Sequence, residues 1–296
     1  MKKTLTLLTA LIFTVLPVCC GAFAETETPH YTLPIDLSGG MKLNQKYFLS
    51  DTEYEDPTIH VKISTGDVNG VLYWIADVEI ADASQLRTAA AEEFDSNGTE
   101  FGSVLARRMN AVLAINGDFY CYQRAGTEVV IRQGIAFQDH WDRTRVDVLA
   151  IDEDGDFHGI SQPAKMQGQT EIDGKKIINA FCFGPLLVND GKISMRESPY
   201  WIINDHYSQR VAIAQTGHLQ YRVIVTGPYK RGSRGFQFED FRKYVAGMDD
   251  LLVAYNLDGG DSAVMVFNGE KINDPENDNE RPLADIIYFA SAYPGD

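Results

Sequence analysis

The sequence predicts an α+β fold within the broad α/β class: a mixed, largely antiparallel sheet with flanking helices, in a single domain. Three observations predict it. Short alternating apolar and polar segments recur between turn residues, uninterrupted apolar runs stand at 111–115 and 251–255, and the stretch 238–248 carries apolar residues at helical spacing.

The chain opens on Met1-Lys2-Lys3, an apolar run over 5–18, and Ala22-Phe23-Ala24, the pattern of a cleaved secretory signal peptide over 1–24. The run is shorter than the roughly 20 apolar residues that span a bilayer. The mature protein is therefore expected to be secreted, periplasmic or at the cell surface, with no stable membrane insertion. Residues 25–58 are polar, with Pro29, Pro34, Gly39, Gly40 and an acidic cluster from Asp51 to Asp56, and read as a lead-in with at most one strand. The main domain is expected over 59–296.

From Ile59 the pattern is β. Ile59, Val61 and Ile63 alternate with polar residues, Asp67, Asn69 and Gly70 supply a turn, and an apolar run over 71–80 returns, which predicts a hairpin. The stretch 84–109 places Leu86, Ala89, Ala90, Phe94, Val104, Leu105 and Arg108 at spacings that predict helices interrupted near Asn97-Gly98. The run 111–115 predicts a strand buried on both faces. Short antiparallel strands are expected between 129 and 193, where Asp154-Gly155 and Asn189-Asp190-Gly191 mark turns. Strands follow at 210–214 and 221–225. Phe238, Phe241, Tyr244, Val245 and Met248 form one helical stripe. Strands at 251–255, 264–267 and 286–290 close the chain.

Composition removes several function classes. With Lys+Arg 26 against Asp+Glu 42 the formal charge is −16; loss of Lys2 and Lys3 with the signal leaves 24 against 42, or −18. Nucleic-acid affinity comes largely from Lys and Arg neutralising phosphates, so nucleic acid is not expected as a partner. A phosphate-bearing ligand needs a local basic pocket. Cys19 and Cys20 leave with the signal, and Cys121 and Cys182, alone in an oxidising compartment, are expected to bridge. The acidic run Asp152-Glu153-Asp154-Gly155-Asp156 lacks the twelfth-position Glu of a calcium loop, where Pro163 stands, and reads as a solvated turn. His140, His206 and His218 have no metal-ligand spacing. There is no phosphate-binding Gly-x-x-x-x-Gly-Lys loop and no Gly-x-Ser-x-Gly elbow.

The two long apolar runs share an ending. Each gives way to Asn and then to Asp beside Gly: Asn116-Gly117-Asp118 and Asn256-Leu257-Asp258-Gly259-Gly260-Asp261-Ser262. Polar turns on rigid strand ends are where functional groups are mounted. Glycines there let a ligand approach the main chain, although Asp-Gly is equally a hairpin signal.

The blocks Ala114-Ile115-Asn116-Gly117-Asp118-Phe119-Tyr120, Gly184-Pro185-Leu186-Leu187-Val188-Asn189-Asp190-Gly191, Arg210-Val211-Ala212-Ile213 and Asn256-Leu257-Asp258-Gly259-Gly260-Asp261-Ser262 occur in one order. Together they resemble the phosphodiester glycosidase family over roughly residues 59–292. The resemblance implies a catalytic domain that hydrolyses the bond between a sugar anomeric carbon and a phosphate oxygen, as in N-acetylglucosamine-1-phosphodiesters, with a sugar phosphodiester or phosphoglycan as substrate. On that implication Asp118 and Asp258 are the catalytic pair, one for the cationic anomeric centre and one for water. Arg210 is the first candidate for the phosphate-binding cation and Arg132 the second. Asn116, Gly117, Asn256, Gly259, Gly260, Asp261 and Ser262 complete the substrate-binding set. Each has a plainer reading: Arg210 as a surface ion pair, Asn116 and Ser262 as caps of their own turns. No cofactor is required, although Asp258 and Asp261 could ligate a divalent cation in a metal-dependent hydrolase. The rival of another class is a non-catalytic glycan-binding protein of envelope polysaccharide assembly.

Overall fold

The hairpin forms where the alternation places it. Ile59–Val68 pairs antiparallel with Val71–Ile80, and Asn69 and Gly70 turn the chain at φ 52° and 85°. The computed structural model describes residues 30–94, 96–119, 128–197, 206–229, 235–273 and 280–295. Tyr31–Asp296 clusters as one unit.

The hairpin belongs to a nine-stranded sheet, hereafter the large sheet. It runs from Phe48–Ser50 through Glu53–Asp56, Ile59–Val68, Val71–Ile80, Gln220–Tyr229, Val211–Gly217, Val253–Leu257 and Leu186–Asn189 to Lys192–Ile193. The lead-in thus supplies two short strands at one end of the sheet, with Phe48–Ser50 at its edge. A five-stranded sheet orders Glu270–Lys271, Met265–Phe267, Ala111–Asn116, Asp285–Ala290 and Leu86–Ala90. A six-stranded sheet gathers Phe157–Ile160, Val148–Asp152, Lys175–Phe181, Val129–Arg132 and Ile135–Asp139, with Glu171–Ile172 beside Lys175–Phe181. Every named pairing within these sheets is antiparallel.

The three sheets share one core. Trp74, Ile213, Val223, Tyr255 and Leu257 of the large sheet meet Leu113, Ile115, Met265 and Phe289 of the five-stranded sheet and Leu149, Ile151 and Phe181 of the six-stranded sheet. Helix α1, Gly102–Arg108, covers the outer face of the five-stranded sheet, packing Leu105 and Ala106 with Ala114, Ile286 and Tyr288. That second layer is why 111–115 is apolar throughout, although its neighbours are antiparallel. Helix α2, Phe238–Ala246, buries Phe238, Phe241 and Val245 against Ala212, Ala214, Ile224 and Ala254 on the outer face of the large sheet. Burial of side chains this size contributes about 1.5–3 kcal/mol each, which fixes the helix to that face.

Three expectations are corrected. The fold is more sheet-rich than the α+β reading implies, with two α-helices among the described residues. The helix expected at the start of 84–109 is instead the strand Leu86–Ala90, paired with Asp285–Ala290 and buried at all five positions. Its polar residues imitated a wet helical face. Arg87 is in fact internal, donating to Tyr288 Oη and to the carbonyls of Pro34, Ser84, Asp36 and Ser38. The strand expected at 251–255 runs two residues later, Val253–Leu257, so Asn256 lies inside it.

Candidate active site

Two strands from different sheets deliver the two Asn-containing turns to one place. In the five-stranded sheet, Asn116 stands opposite Ile286 at the strand's end. Its amide Nδ2 donates to the Asp258 carbonyl at 2.8 Å, while its Oδ1 accepts from the Val264 amide at 3.3 Å. One buried side chain thereby joins the end of Val253–Leu257 to the end of Ala111–Asn116, across 142 residues of sequence.

Two glycines make the approach possible. A Cβ on Gly117 would lie 2.1 Å from Asp285 Oδ1, and the Gly117 amide donates to the Asp285 carbonyl at 3.1 Å. A Cβ on Gly259 would lie 2.4 Å from the Gln209 carbonyl oxygen, which accepts from the Gly260 amide at 2.8 Å. A side chain at Gly259 demands a backbone shift, and one at Gly117 demands that the buried Asp285 carboxylate move.

Register sets the charges around the second turn. Val211 pairs with Leu257 at the end of both strands, and Arg210 and Asp258 are the residues next beyond that pair. Asp258 is half-buried and accepts from the Gly259 amide at 2.9 Å. Arg210 is buried and donates to the His206 carbonyl at 2.6 Å and the Phe236 carbonyl at 3.3 Å, its guanidinium 5.6 Å from the Phe238 ring centroid. Burial pushes Arg210 down to about 10, which leaves it cationic at neutral pH. Asn256, opposite Ala212 and only 1% exposed, donates to the Gly184 carbonyl at 2.7 Å. Its Oδ1 is buried with no hydrogen-bond partner among the described residues, a costly state for an amide oxygen unless a ligand donates to it. Ser262 is buried and accepts from Arg281 at 3.2 Å, whereas Asp261 is exposed.

Asp118 and Arg132 lie deeper. Asp118 is 1% exposed and Arg132 0%. Asp118 Oδ2 accepts from Arg132 Nη2 at 2.7 Å and Oδ1 from the Cys182 amide at 3.0 Å. The same guanidinium holds Asp285 Oδ2 through Nε and Nη2, both at 3.2 Å, donates to the Ile131 and Ala180 carbonyls, and stacks 4.2 Å from the Phe181 ring centroid. Burial pushes Asp118 up to about 6, with Asp285 adding to the rise and Arg132 opposing it. The structure therefore brings Asn116, Gly117, Arg210, Asn256, Asp258, Gly259 and Gly260 together around one turn. It places Asp118 and Arg132 in a buried triad with Asp285. Asp285, the third member, escaped the sequence reading; its signal is a carboxylate immediately preceding the buried run 286–290.

Other expectations resolve as follows. Cys182 is a buried free thiol that donates to the Val129 carbonyl, not half of a disulfide, and burial pushes its pKa well up; its expected partner Cys121 lies outside the described residues. Among the described residues no group of three or more His, Cys, Asp or Glu is arranged to hold a metal ion. The acidic turn after 151 is partly internal. Asp152 is buried, and Lys175 Nζ sits 3.0 Å from Asp154 and 3.2 Å from Asp156, supplying the turn's own cation.

A family model described as phosphodiester glycosidase matches residues 109–290, which contain both turns. A Bacillus subtilis (strain 168) protein, the SPbeta prophage-derived uncharacterized protein YomE, is 24% identical over 309 residues, covering 92% of this chain and 45% of its own length. The chain thus spans about half of that relative. Among solved structures, the catalytic domain of zebrafish N-acetylglucosamine-1-phosphodiester alpha-N-acetylglucosaminidase, auto-inhibited by its pro-peptide, is similar at TM-score 0.61 and 16% identity, over 88% of this chain and 97% of that one. A hypothetical protein from Synechocystis is similar at TM-score 0.54 and 14% identity, over 78% and 62%. At such identities the structural likeness speaks for the fold.

Proposed function

Because the chain belongs to the phosphodiester glycosidase family, we propose that it is an exported hydrolase that cleaves the sugar-1-phosphate bond of a sugar phosphodiester, of the N-acetylglucosamine-1-phosphodiester kind, to free sugar and a phosphomonoester. The observation that carries this reading is the hydrogen bond from Asn116 to the Asp258 carbonyl. It links the two turns that the sequence reading paired, and Arg210 and Asp258 lie one residue beyond the Val211–Leu257 pair.

Cleavage of the C1–O bond sends its electron pair to the phosphate oxygen and leaves positive charge on the anomeric carbon. The Asp258 carboxylate stabilises that carbon, and Arg210 supplies positive charge for the departing phosphate. A phosphomonoester leaves more readily than a sugar alkoxide, so no strong general acid is required. Water then adds at C1 and its proton passes to solvent. The Asn256 oxygen and the amides of the glycine turn orient the sugar. We assign Asp118 a positioning role: with Arg132 and Asp285 it anchors the 116–118 turn so that Asn116 reaches Asp258. Export follows from the signal peptide expected over 1–24, and among the described residues no helix is long and apolar enough to cross a membrane.

The test is an α-linked N-acetylglucosamine phosphodiester, with analogues bearing other sugars, assayed for free sugar and phosphomonoester. Release of both is expected. Sugar affinity without release from any of them would transfer the site to the non-catalytic glycan-binding reading.

A further inference from the structure

Asn-Gly occurs four times in the chain, at Asn69, Asn97, Asn116 and Asn268. It is a chemically labile pair as well as a turn signal. The glycine has no side chain to shield its backbone nitrogen, so that nitrogen can attack the Cγ of the asparagine before it. The glycine N–H gives its proton to hydroxide, the N–Cγ bond forms, and the amide Nδ2 takes up a proton and leaves as ammonia. Water then opens the cyclic imide at either carbonyl, to aspartate or to a β-linked isoaspartate. The sum is an amide plus water to a carboxyl plus ammonia, and no enzyme is needed.

The rate is set by whether the backbone can bring that nitrogen onto Cγ. At three of the four positions the fold resists it. Asn116 is 1% exposed, its Nδ2 donates to the Asp258 carbonyl at 2.8 Å, and its Oδ1 accepts from the Val264 amide. The nitrogen that would attack it, that of Gly117, donates to the Asp285 carbonyl at 3.1 Å. Asn69 and Asn268 fill two-residue hairpin turns at φ 52° and 51°, closed by the pairs Val68–Val71 and Phe267–Glu270. Ring closure there must first open the hairpin end. Asn268 is also tied to Gln45 by side-chain hydrogen bonds at 3.0 and 3.3 Å.

Asn97 lacks these restraints. It is exposed, 97–99 lies outside every helix and strand, and among the described residues no hydrogen bond holds its side chain. The Gly98 amide donates to the Ser96 hydroxyl at 3.2 Å, a contact inside the same loop. The loop is fastened on either side of this point instead, by buried Phe94 against Phe137 and by the strand Glu100–Phe101.

We propose that Asn97 is a site of spontaneous deamidation in the folded protein, and that the contacts which assemble the Asp258 turn also protect Asn116 from the same reaction. Deamidation at 116 would set a carboxylate against the Asp258 carbonyl and undo the link between the two turns. At 97 the new charge, and the extra backbone atom of isoaspartate, stay within an exposed loop. Neither half depends on the hydrolytic reading.

The experiment incubates the purified protein at pH 6 and pH 8, folded and in urea, and maps its peptides by mass spectrometry. Isoaspartate is counted by methyl transfer from an isoaspartate methyltransferase. In the folded protein the Asn97 peptide converts at least roughly tenfold faster than those of Asn69, Asn116 and Asn268. It converts faster at pH 8 than at pH 6, since the nucleophile is a deprotonated amide. In urea the four convert at similar rates. Gly98→Ala slows Asn97 about tenfold with Tm unchanged, because the added methyl meets the exposed Glu92 side chain at 2.5 Å, and that side chain can swing away. An intact Asn97 in folded protein whose urea sample has converted overturns the inference. So does conversion of Asn116 at the rate of Asn97, or a Gly98→Ala rate equal to the wild type's.

Discussion

Replacement of Arg132 by methionine removes the guanidinium from between two buried carboxylates and leaves the packing volume largely in place. In the wild type this group bonds Asp118 at 2.7 Å and Asp285 at 3.2 Å, with no part of the side chain exposed. Breaking a buried ion network by deleting one partner costs about 3–5 kcal/mol, because the abandoned charge stays desolvated. For a domain of this size that is a fall in Tm of roughly 6–20 °C. The loss should depend on pH. Asp118 already stands at about 6, raised by burial and held from rising further by Arg132, and without Arg132 it rises beyond that. A carboxylate whose folded pKa exceeds its unfolded value weakens the fold as pH rises through the folded pKa and restores it as pH falls. Thermal unfolding followed by circular dichroism at pH 7.5 and pH 5 should show a deficit largest at pH 7.5 and reduced at pH 5, and Asp118→Asn added to Arg132→Met should shrink it at pH 7.5. A variant within roughly 2 °C of the wild type at pH 7.5, or a deficit unchanged at pH 5, would refute the reasoning.

Asp258→Asn should lower kcat/KM by on the order of 10³-fold with Tm nearly unchanged, since the amide can still accept from Gly259 while losing the charge; retained turnover would remove Asp258 from the chemistry. Gly259→Ala places a methyl 2.4 Å from the Gln209 carbonyl, so the turn must shift, with kcat/KM expected to fall by roughly 10²-fold or more; an unchanged rate would show that the turn does not set the geometry. An anionic phosphodiester approaching a chain of charge −16 is repelled at long range, so kcat/KM should rise as added salt brings the Debye length to about 8 Å. A rate that falls steeply with salt would point to a basic approach surface instead.

The strands were legible wherever one face is wet or both faces are apolar. Ile59–Val68 and Val71–Ile80 alternate, and Ala111–Asn116 is apolar because α1 and the shared core enclose it. Leu86–Ala90 was not legible because Arg87 and Thr88 are buried polar residues satisfied by distant partners, among them Tyr288 and Asn179, and no local pattern announces a partner 201 residues away. The site divides in the same way. The glycine turns were visible because close approach demands glycine, and the structure supplies the contacts: the Asp285 carboxylate at Gly117 and the Gln209 carbonyl at Gly259. The burial of Asp118 could not be read, since Asn-Gly-Asp has the same composition whether its carboxylate meets solvent or Arg132. Asp285 was hidden for the same reason.

What distinguishes the two candidate arginines is the partner each has been given. Arg132 is bonded to two carboxylates, so its charge is more than cancelled locally and it serves as an internal fastening. Arg210 donates to the carbonyls of His206 and Phe236 and lies over Phe238. Carbonyl dipoles and an aromatic face orient a guanidinium without discharging it. Burial lowers the Arg210 pKa only to about 10, so the guanidinium stays cationic at neutral pH. The register that sets Val211 opposite Leu257 leaves Arg210 and Asp258 one residue beyond that pair, and the proposed reaction calls for such a pairing: a cation for the departing phosphate near a carboxylate for the anomeric carbon. On the proposed hydrolytic reading, Arg210 is the candidate for the phosphate and Arg132 for the turn's support, a division of labour argued from what each guanidinium touches.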